Sequence, residues 1–431
     1  MSISSPLLTE ELLYNLLVSE AFTAADPDAA RVGLETEFLP LNAHGFGTLL
    51  AQPAREVGTD MFGGPAIGLY PWLMLLAERH NWMSAPTESS AAIAFEYDEG
   101  GLVTLEPGGQ IEYSSPPEMS AEVALEKTER FATILREEGE RIGLVFLDEG
   151  CNRHTGRELP HLVVRKPRYL AMDKYFERLG PYGRMMMRST CATQVNLDFG
   201  PPEVASRRWK LINLAAPALN ALFANSPGEI EGTSFPSVRY EIWRRTDPSR
   251  TGIPDGMLGK DPAAAYLRFA VKAEVLLLHD PVDGFRAPKA PMTFRDWLKG
   301  ESSELPPDLE DWRLHLTTLF PDVRPRGFIE LRSIDALPAR ERRAAVILST
   351  LLLYDATLLD TALALFDDDD LCRKSGADES FDDRFTVGAA LLRTAIETTG
   401  DAELRAYAEE YTEKGLTPGS KTDYELLRVR G

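Results

Sequence analysis

The chain has 431 residues, of which 44% are hydrophobic and 26% charged, a composition typical of a soluble globular protein with one large or two ordinary domains. Its formal net charge of −21 argues against nucleic acid as a partner and disfavours anionic membranes. Three widely spaced cysteines give no disulfide framework and no zinc signature, which favours a reducing compartment. Because there is no signal-peptide pattern and no uninterrupted apolar run of membrane-spanning length, we expect a cytoplasmic protein.

The pattern of apolar residues predicts a mixture of helices and short strands. In the first half, helices are predicted over 8–24, 70–82, 118–140 and 168–179, and strands over 31–40, 92–97, 101–105, the end of 105–114, 142–147 and 185–200. In the second half, we predict helices over 203–223 and 261–278, a loop over 281–310 and a strand over 326–334. Everything after Pro338 is predicted to be helical except an acidic loop over 367–380.

Two features decide between a parallel and an antiparallel sheet. The segment 98–101, Asp-Glu-Gly-Gly, is a hairpin turn between two strands. The best strands also alternate polar with apolar residues, whereas buried parallel strands are continuously apolar. We therefore predict an α+β fold, with a curved antiparallel sheet, helices on its outer face and polar residues on its inner face.

Glutamates in the strand 31–40 are the first candidates for chemistry. Glu35 and Glu37 are two residues apart, so on a strand they point the same way and repel each other. A solvated strand face would explain them. A site for a divalent metal would explain them better, because Mg²⁺ prefers hard oxygen ligands.

Further acids stand on other predicted strands. Glu106 and Glu112 flank a Pro-Gly-Gly turn, which is ordinary turn chemistry when taken alone. Glu330 adds a fifth acid, with Arg332 on the same side of its strand. A metal ligand beside a fixed guanidinium suits phosphoryl transfer, although a surface ion pair would give the same pattern.

Amides and an arginine–tryptophan pair complete the candidate set. Gln194 and Asn196 could orient nucleotide phosphates or complete a metal shell, or serve as hydrogen-bonded spacers. Arg239 and Trp243 could bind an amino-acid carboxylate, or form a salt bridge beside a core aromatic residue. The sequence has no G-x-S-x-G motif, no Walker P-loop and no zinc spacing, so any chemistry rests on carboxylates, arginines and a metal.

Segments distributed along most of the chain form an ordered set of motifs. They include VGLETEF (32–38), LEPGGQIEYSSPP (105–117), MMMRSTCATQVNLDFG (185–200), SVRYEIW (237–243) and HLTTLFPDVRPRGFIELRSID (315–335). Together they resemble the glutamate–cysteine ligases of the plant and proteobacterial type, and the related actinobacterial ligases that begin ergothioneine synthesis. In the plant pattern a histidine separates the two glutamates of the first strand. This sequence has Thr36 at that position instead.

The resemblance implies a glutamine-synthetase-like fold, with an antiparallel funnel around metal ions. We expect this catalytic domain to cover 1–366 and the acidic loop and helices over 367–431 to form an extension, where the resemblance is weak. The resemblance implies that ATP phosphorylates the γ-carboxylate of glutamate and that the amine of cysteine then attacks, giving γ-glutamylcysteine for glutathione or ergothioneine biosynthesis. It also implies ATP and Mg²⁺ as cofactors. We expect a monomer or homodimer.

Position by position, the resemblance assigns roles to the candidate residues. The implied magnesium ligands are Glu35, Glu37, Glu106, Glu112 and Glu330. Arg332 and Glu330 would be catalytic, with Arg332, Gln194 and Asn196 beside the nucleotide. The implied substrate-binding residues are Arg239, Trp243, Arg168 and Tyr169.

Three alternatives remain open at this point. The ligase could join glutamate to an amine other than cysteine. A kinase on the same fold could phosphorylate a guanidino or carboxylate group. A non-catalytic paralogue could bind amino acids or a partner enzyme.

Overall fold

A computed structural model of the chain describes residues 8–23, 26, 28–42, 58–59, 65–66, 69–85, 94–97, 99–152, 159 and 161–421. The turn residue Asp98, the start of the strand predicted over 92–97 and both chain termini lie outside the described residues.

The helices are α1 Glu10–Leu16, α2 Leu69–Arg79, α3 Ala121–Glu140, α4 Pro167–Leu179, α5 Pro181–Ser189, α6 Pro202–Leu222, α7 Val238–Thr246, α8 Pro262–Lys272, α9 Phe294–Leu298, α10 Leu309–Leu316, α11 Ala339–Tyr354, α12 Ala356–Leu365, α13 Asp369–Lys374, α14 Phe381–Thr399 and α15 Ala402–Glu410. A π-helical turn, Leu17–Ala21, follows α1, and a 3₁₀ turn, Thr412–Lys414, follows α15.

The strands are β1 Val32–Asn42, β2 Gly58–Thr59, β3 Pro65–Ala66, β4 Met83–Ser84, β5 Ala94–Glu96, β6 Leu102–Leu105, β7 Ile111–Ser114, β8 Leu144–Leu147, β9 Thr193–Leu197, β10 Gly228–Ile230, β11 Thr233–Phe235, β12 Thr251–Gly252, β13 Leu278–Asp280, β14 Gly284–Arg286, β15 Phe320–Pro321, β16 Val323–Pro325 and β17 Ile329–Leu331.

One large antiparallel sheet organises the fold. Its strands run in the order β16-β17-β9-β1-β7-β6-β5-β4, and β8 pairs with the second half of β1. Every pairing within this sheet is antiparallel. The predicted α+β architecture, built on an antiparallel sheet, is confirmed.

The alternation of residues along β1 gives the sheet an apolar and a polar face. Val32 and Leu34 are buried in the main core together with Leu197 of β9 and Leu219 of α6. Since successive side chains of a strand point to opposite faces, Glu35 lies on the other face. The helices that cover the apolar side thereby leave the polar side free for a site.

The helices after residue 366 belong to the same core as the sheet. Leu391 of α14 and Leu404 of α15 lie in one apolar cluster with Leu219. The Tyr407 hydroxyl donates to the Leu222 carbonyl at 2.8 Å. The domain boundary at 366 stays a prediction, and the extension packs directly on the helices that support the sheet.

The strand predicted over 185–200 is wrong in its first part. Residues up to Ser189 belong to α5, and only Thr193–Leu197 forms β9. Pro181 in the first turn favours a helix start, and α5 buries Met186 and Met187. A short apolar run fits a buried helix as well as a strand, so the sequence alone did not separate them.

Three other boundaries also differ from the predictions. The helix predicted over 261–278 ends at Lys272. Leu278, the last residue of the predicted helix, is instead the first residue of β13. The loop predicted over 281–310 contains α9, which begins with a capping box between Thr293 and Asp296. The acidic loop predicted over 367–380 contains α13, capped by Asp368.

In the part of the chain that the structure describes, no single helix has both the length and the apolar character needed to cross a membrane. The pair α11 and α12, bent by 93°, meets the criterion together, by length and composition only.

Candidate active site

Strand register brings the predicted polar residues onto one face of the sheet. Glu37 lies opposite Glu112 in the β1–β7 pairing, and Glu35 lies opposite Gln194 in the β1–β9 pairing. Directly opposed residues, and residues two apart on a strand, share a face. In the β9–β17 pairing, Glu330 lies opposite Asn196. One face of the sheet therefore carries Glu112, Glu37, Glu35, Gln194, Asn196, Glu330 and Arg332.

The first part of the site is a carboxylate cluster formed by Glu35, Glu37, Glu106 and Glu112. Burial and the charge of Glu106 raise the pKa of Glu37 to about 8. Burial and the neighbouring acids hold the pKa of Glu112 well above its usual value. Burial raises the pKa of Glu106 even though the charge of Lys166 lowers it. The nearby cations therefore do not fully compensate the four carboxylates, and a bound cation would supply the missing positive charge.

The carboxylate cluster offers the donor type that magnesium prefers, although no ligand shell is formed in advance. Among the described residues, no three His, Cys, Asp or Glu side chains stand ready to hold a metal ion. Ala192 N–H donates to Glu37 at 2.6 Å, and Asn196 Nδ2 donates to Glu35 at 2.9 Å. Asn196 Oδ1 is buried without a hydrogen-bond partner in the described structure, which leaves an oxygen available to a cation.

The second part of the site is an arginine cluster around Glu330, formed by Arg324, Arg326 and Arg332. Their guanidinium nitrogens approach the fully buried Glu330 carboxylate to 2.5, 3.2 and 3.1 Å. Burial alone would raise the pKa of Glu330, but Arg324 and Arg332 hold that pKa well below its usual value. Metal binding by Glu330 stays a prediction, since three guanidiniums occupy its carboxylate.

Sequence reasoning found Arg332 but missed Arg324 and Arg326. Arg324 lies opposite Glu330 in the β16–β17 hairpin. The available signal was the pair of arginines two residues apart just before the strand that carries Glu330. Arg332 also donates from Nη1 to Gln194 Oε1 at 2.7 Å, which links the arginine cluster to β9.

Arg239 supports the arginine cluster from behind. Its buried guanidinium donates to the carbonyls of Arg332 and Ser333 at 2.8 and 3.0 Å. The guanidinium carbons of Arg239 and Arg332 lie 5.4 and 5.5 Å from the Trp243 ring centroid. The Arg239 guanidinium therefore already donates to protein carbonyls. Its contact with substrate stays a prediction.

Helix α4 brings further polar groups to the Glu106 side of the carboxylate cluster. The Tyr169 hydroxyl donates to Glu106 at 3.4 Å. Arg168 donates to Thr317 Oγ1 at 2.8 Å. Lys166, which sequence reasoning missed, lies with Nζ 4.9 Å from the Tyr169 ring centroid. The three residues stand within four positions of one another, a signal visible in the sequence RKPRY.

Gln110 fixes the turn between Glu106 and Glu112. Its Oε1 accepts from Gly108 N–H at 2.9 Å, and its Nε2 donates to the Thr190 carbonyl at 2.8 Å. This turn packs so closely on the end of α5 that a Cβ on Gly108 would lie 2.2 Å from the Arg188 carbonyl oxygen. The two acids are thus held at a fixed position relative to β9.

A family model for glutamate–cysteine ligase family 2 matches residues 31–398, most of the chain and all of the site described above. The chain belongs to this family. It is similar to the glutamate–cysteine ligase EgtA of Mycolicibacterium smegmatis, at 36% identity over 73% of this chain and 76% of that protein. It is also similar to the chloroplastic glutamate–cysteine ligase of Nicotiana tabacum, at 30% identity over 85% of this chain and 66% of that protein.

Coverage of the family members is partial. The match to EgtA of Mycobacterium tuberculosis spans 62% of that protein. Among solved structures, the chain resembles a glutamate–cysteine ligase of Francisella tularensis in complex with AMP, with 12% identity, 95% coverage of this chain, 86% coverage of that one and a TM-score of 0.46. The fold described above rests on the strand pairings of this chain.

Proposed function

We propose that the chain joins the γ-carboxylate of glutamate to the amine of cysteine, with ATP converted to ADP, and so forms γ-glutamylcysteine. The observation that supports this most directly is the pairing of a carboxylate cluster with an arginine cluster on one sheet face, in a member of glutamate–cysteine ligase family 2. The similarity to EgtA and to plant ligases favours cysteine as the acceptor.

The chemistry explains why both clusters are needed. A carboxylate is a poor acyl donor, and phosphorylation gives it a good leaving group at the cost of bringing two anions together. Glu35, Glu37, Glu106 and Glu112 would hold magnesium, which neutralises phosphate charge when it is bound. Arg324, Arg326 and Arg332 supply fixed positive charge at the transferring phosphate.

The remaining polar groups keep these two clusters in place. Gln194 joins Arg332 to the strand that carries Asn196. Arg239 and Trp243 hold Arg332 from the opposite side. Such preorganised charge costs little reorganisation during the reaction, which is the main source of catalysis in this kind of site.

We also propose a cytoplasmic location and leave the predicted monomer or homodimer as an expectation. Cys191 and Cys372 are free thiols in the structure, and free thiols are typical of a reducing compartment. The same reducing compartment would keep the cysteine substrate in its thiol form.

The proposal is tested by ADP release with glutamate and a panel of amines, followed by mass spectrometry of the products. We expect cysteine to give the highest rate and γ-glutamylcysteine as the product. A stable phosphorylated product in the absence of amine would instead indicate a kinase. Preference for another amine would change the acceptor, and no ADP with any amine would indicate a non-catalytic paralogue.

A further inference from the structure

The cationic side chains beside the site differ in whether they already contact a carboxylate or carbonyl of the protein. Arg324, Arg326 and Arg332 contact Glu330, and Arg239 contacts backbone carbonyls. Lys166 is half-buried, and within the described residues no carboxylate lies in direct ion-pair contact with it. Its ammonium group lies against the Tyr169 ring, and its positive charge lowers the pKa of Glu106 from a distance, so its N–H groups stay available to a ligand.

The place of Lys166 relative to the two clusters is well defined. Tyr169 joins Lys166 to Glu106, because its ring contacts the ammonium group and its hydroxyl donates to the carboxylate. The arginine cluster lies beyond β1 and β9, on β16 and directly after β16 and β17. The carboxylate cluster therefore stands between Lys166 on one side and the arginines on the other.

Glutamate carries two carboxylates, separated by three carbons. Under the proposed function, its γ-carboxylate must meet the phosphate near the arginine cluster. The α-carboxylate then needs a cation of its own, since burying an unpaired anion is costly. We propose that Lys166 binds the α-carboxylate of the glutamate substrate and so selects amino acids over simple carboxylic acids. This inference rests on the proposed function and adds the specificity-determining residue.

The test compares steady-state kinetics of the full chain and its Lys166→Met variant, which keeps the aliphatic stem beside Tyr169. Loss of one charge-assisted hydrogen bond should raise KM for glutamate about tenfold or more and change kcat little. The KM for ATP and the magnesium concentration for half-maximal rate should stay within about twofold of the wild-type values. Lys166→Arg should recover most of the glutamate affinity. The matched control is Lys174→Met, which replaces an exposed lysine of α4, the helix that begins directly after Lys166, and should leave every constant unchanged.

A substrate fragment separates binding of the α-carboxylate from other effects. 4-Aminobutanoate keeps the γ-carboxylate and the amine of glutamate but lacks the α-carboxylate. Its inhibition constant against glutamate should be the same for the wild type and Lys166→Met. An unchanged glutamate KM in Lys166→Met, or an equal weakening of 4-aminobutanoate, would overturn the inference. A rise in the magnesium requirement alone would assign Lys166 to the carboxylate cluster instead. Absence of ADP release by the wild type would contradict the proposed function itself.

Discussion

Glu37 and Glu330 lie on the same sheet face in opposite electrostatic surroundings. Glu37 stands beside other acids, so burial and Glu106 raise its pKa to about 8. Glu330 stands among guanidiniums, and Arg324 and Arg332 keep its pKa below the usual value despite its burial. Substitution by glutamine should therefore change stability in opposite directions at the two positions.

Glu37→Gln should stabilise the metal-free protein at pH 8 while abolishing glutamate-dependent ADP release. A carboxyl whose folded pKa is raised costs stability above its unfolded pKa of about 4.5, and this cost grows until the pH passes about 8. The gain should be at least about 1 kcal/mol at pH 8, the worth of one pKa unit, and vanish near pH 5. Urea unfolding at the two pH values measures it. The exposed Glu96→Gln is the control, and equal effects of both variants would contradict the prediction.

Glu330→Gln should destabilise the protein by about 3 kcal/mol at pH 7, because it leaves Arg324, Arg326 and Arg332 without their buried counter-charge. Urea unfolding of the wild type, Glu330→Gln and Glu37→Gln under the same conditions measures the free energies of unfolding to be compared. If Glu330→Gln were as stable as the wild type, the buried ion-pair cluster described here would be wrong.

The acids were predictable from sequence, and the partners of the arginines were not. Glu35 and Glu37 follow from the alternation of a strand, which a local pattern encodes. Arg239 binds carbonyls of residues 332 and 333, about ninety positions away, and a carbonyl gives no sequence signal. The position of Lys166 beside Tyr169 was not predictable from sequence either, because it depends on how α4 packs against the turn that carries Glu106.

The turn between β6 and β7 depends on the end of α5 for its position. Gly108→Ala should cost about 2 kcal/mol of stability and reduce turnover, because its Cβ would meet the Arg188 carbonyl oxygen at 2.2 Å. Gly33→Ala is the matched control for stability, since its Cβ would meet Asn196 Cβ at an ordinary 3.5 Å. Equal unfolding free energies for the two variants would show that the turn can move away from α5.

Helix α10 carries a buried histidine that should make stability depend on pH. His315 Nε2 lies 2.7 Å from the Ala270 carbonyl, and burial lowers the pKa of His315 to about 3. A lowered folded pKa means that only the unfolded chain gains a proton below pH 6.5, so stability falls as pH falls. Between pH 7 and pH 5 the loss should be about 2 kcal/mol.

His315→Gln should remove that part of the pH dependence, because the amide can still donate to the Ala270 carbonyl but does not titrate in this range. Unfolding free energies of both proteins at pH 7 and pH 5 test this. The exposed His279→Gln should keep the wild-type dependence. An identical slope for His315→Gln and the wild type would contradict the assignment.

Long periodic elements were predicted well, and short apolar ones were not. The strand β1 and the helices α3 and α6 carry clear periods over many residues, so local pattern was sufficient. Helix α5 was predicted as a strand because its methionine run fits either structure. Its helical state is supported by packing against α4 and α7, which are tertiary contacts that the sequence does not display.

The whole molecule combines a strongly acidic chain with a locally balanced site. The net charge of −21 argues against nucleic acid as a partner but says nothing about where positive charge lies in the fold. At the site, the arginine cluster lies on the β17 side of the carboxylate cluster and Lys166 lies on the Glu106 side. Three-dimensional register was needed to see this order, although each residue type was visible in the sequence.

The central claim is that ATP activates the γ-carboxylate of glutamate before the amine attacks. Glutamate labelled with ¹⁸O in the γ-carboxylate tests it directly in the presence of ATP, Mg²⁺ and cysteine. We predict that γ-glutamylcysteine, ADP and phosphate form in equal amounts, and that each phosphate carries one ¹⁸O from the carboxylate. Unlabelled phosphate alongside γ-glutamylcysteine, or ADP without any peptide product, would contradict the claim.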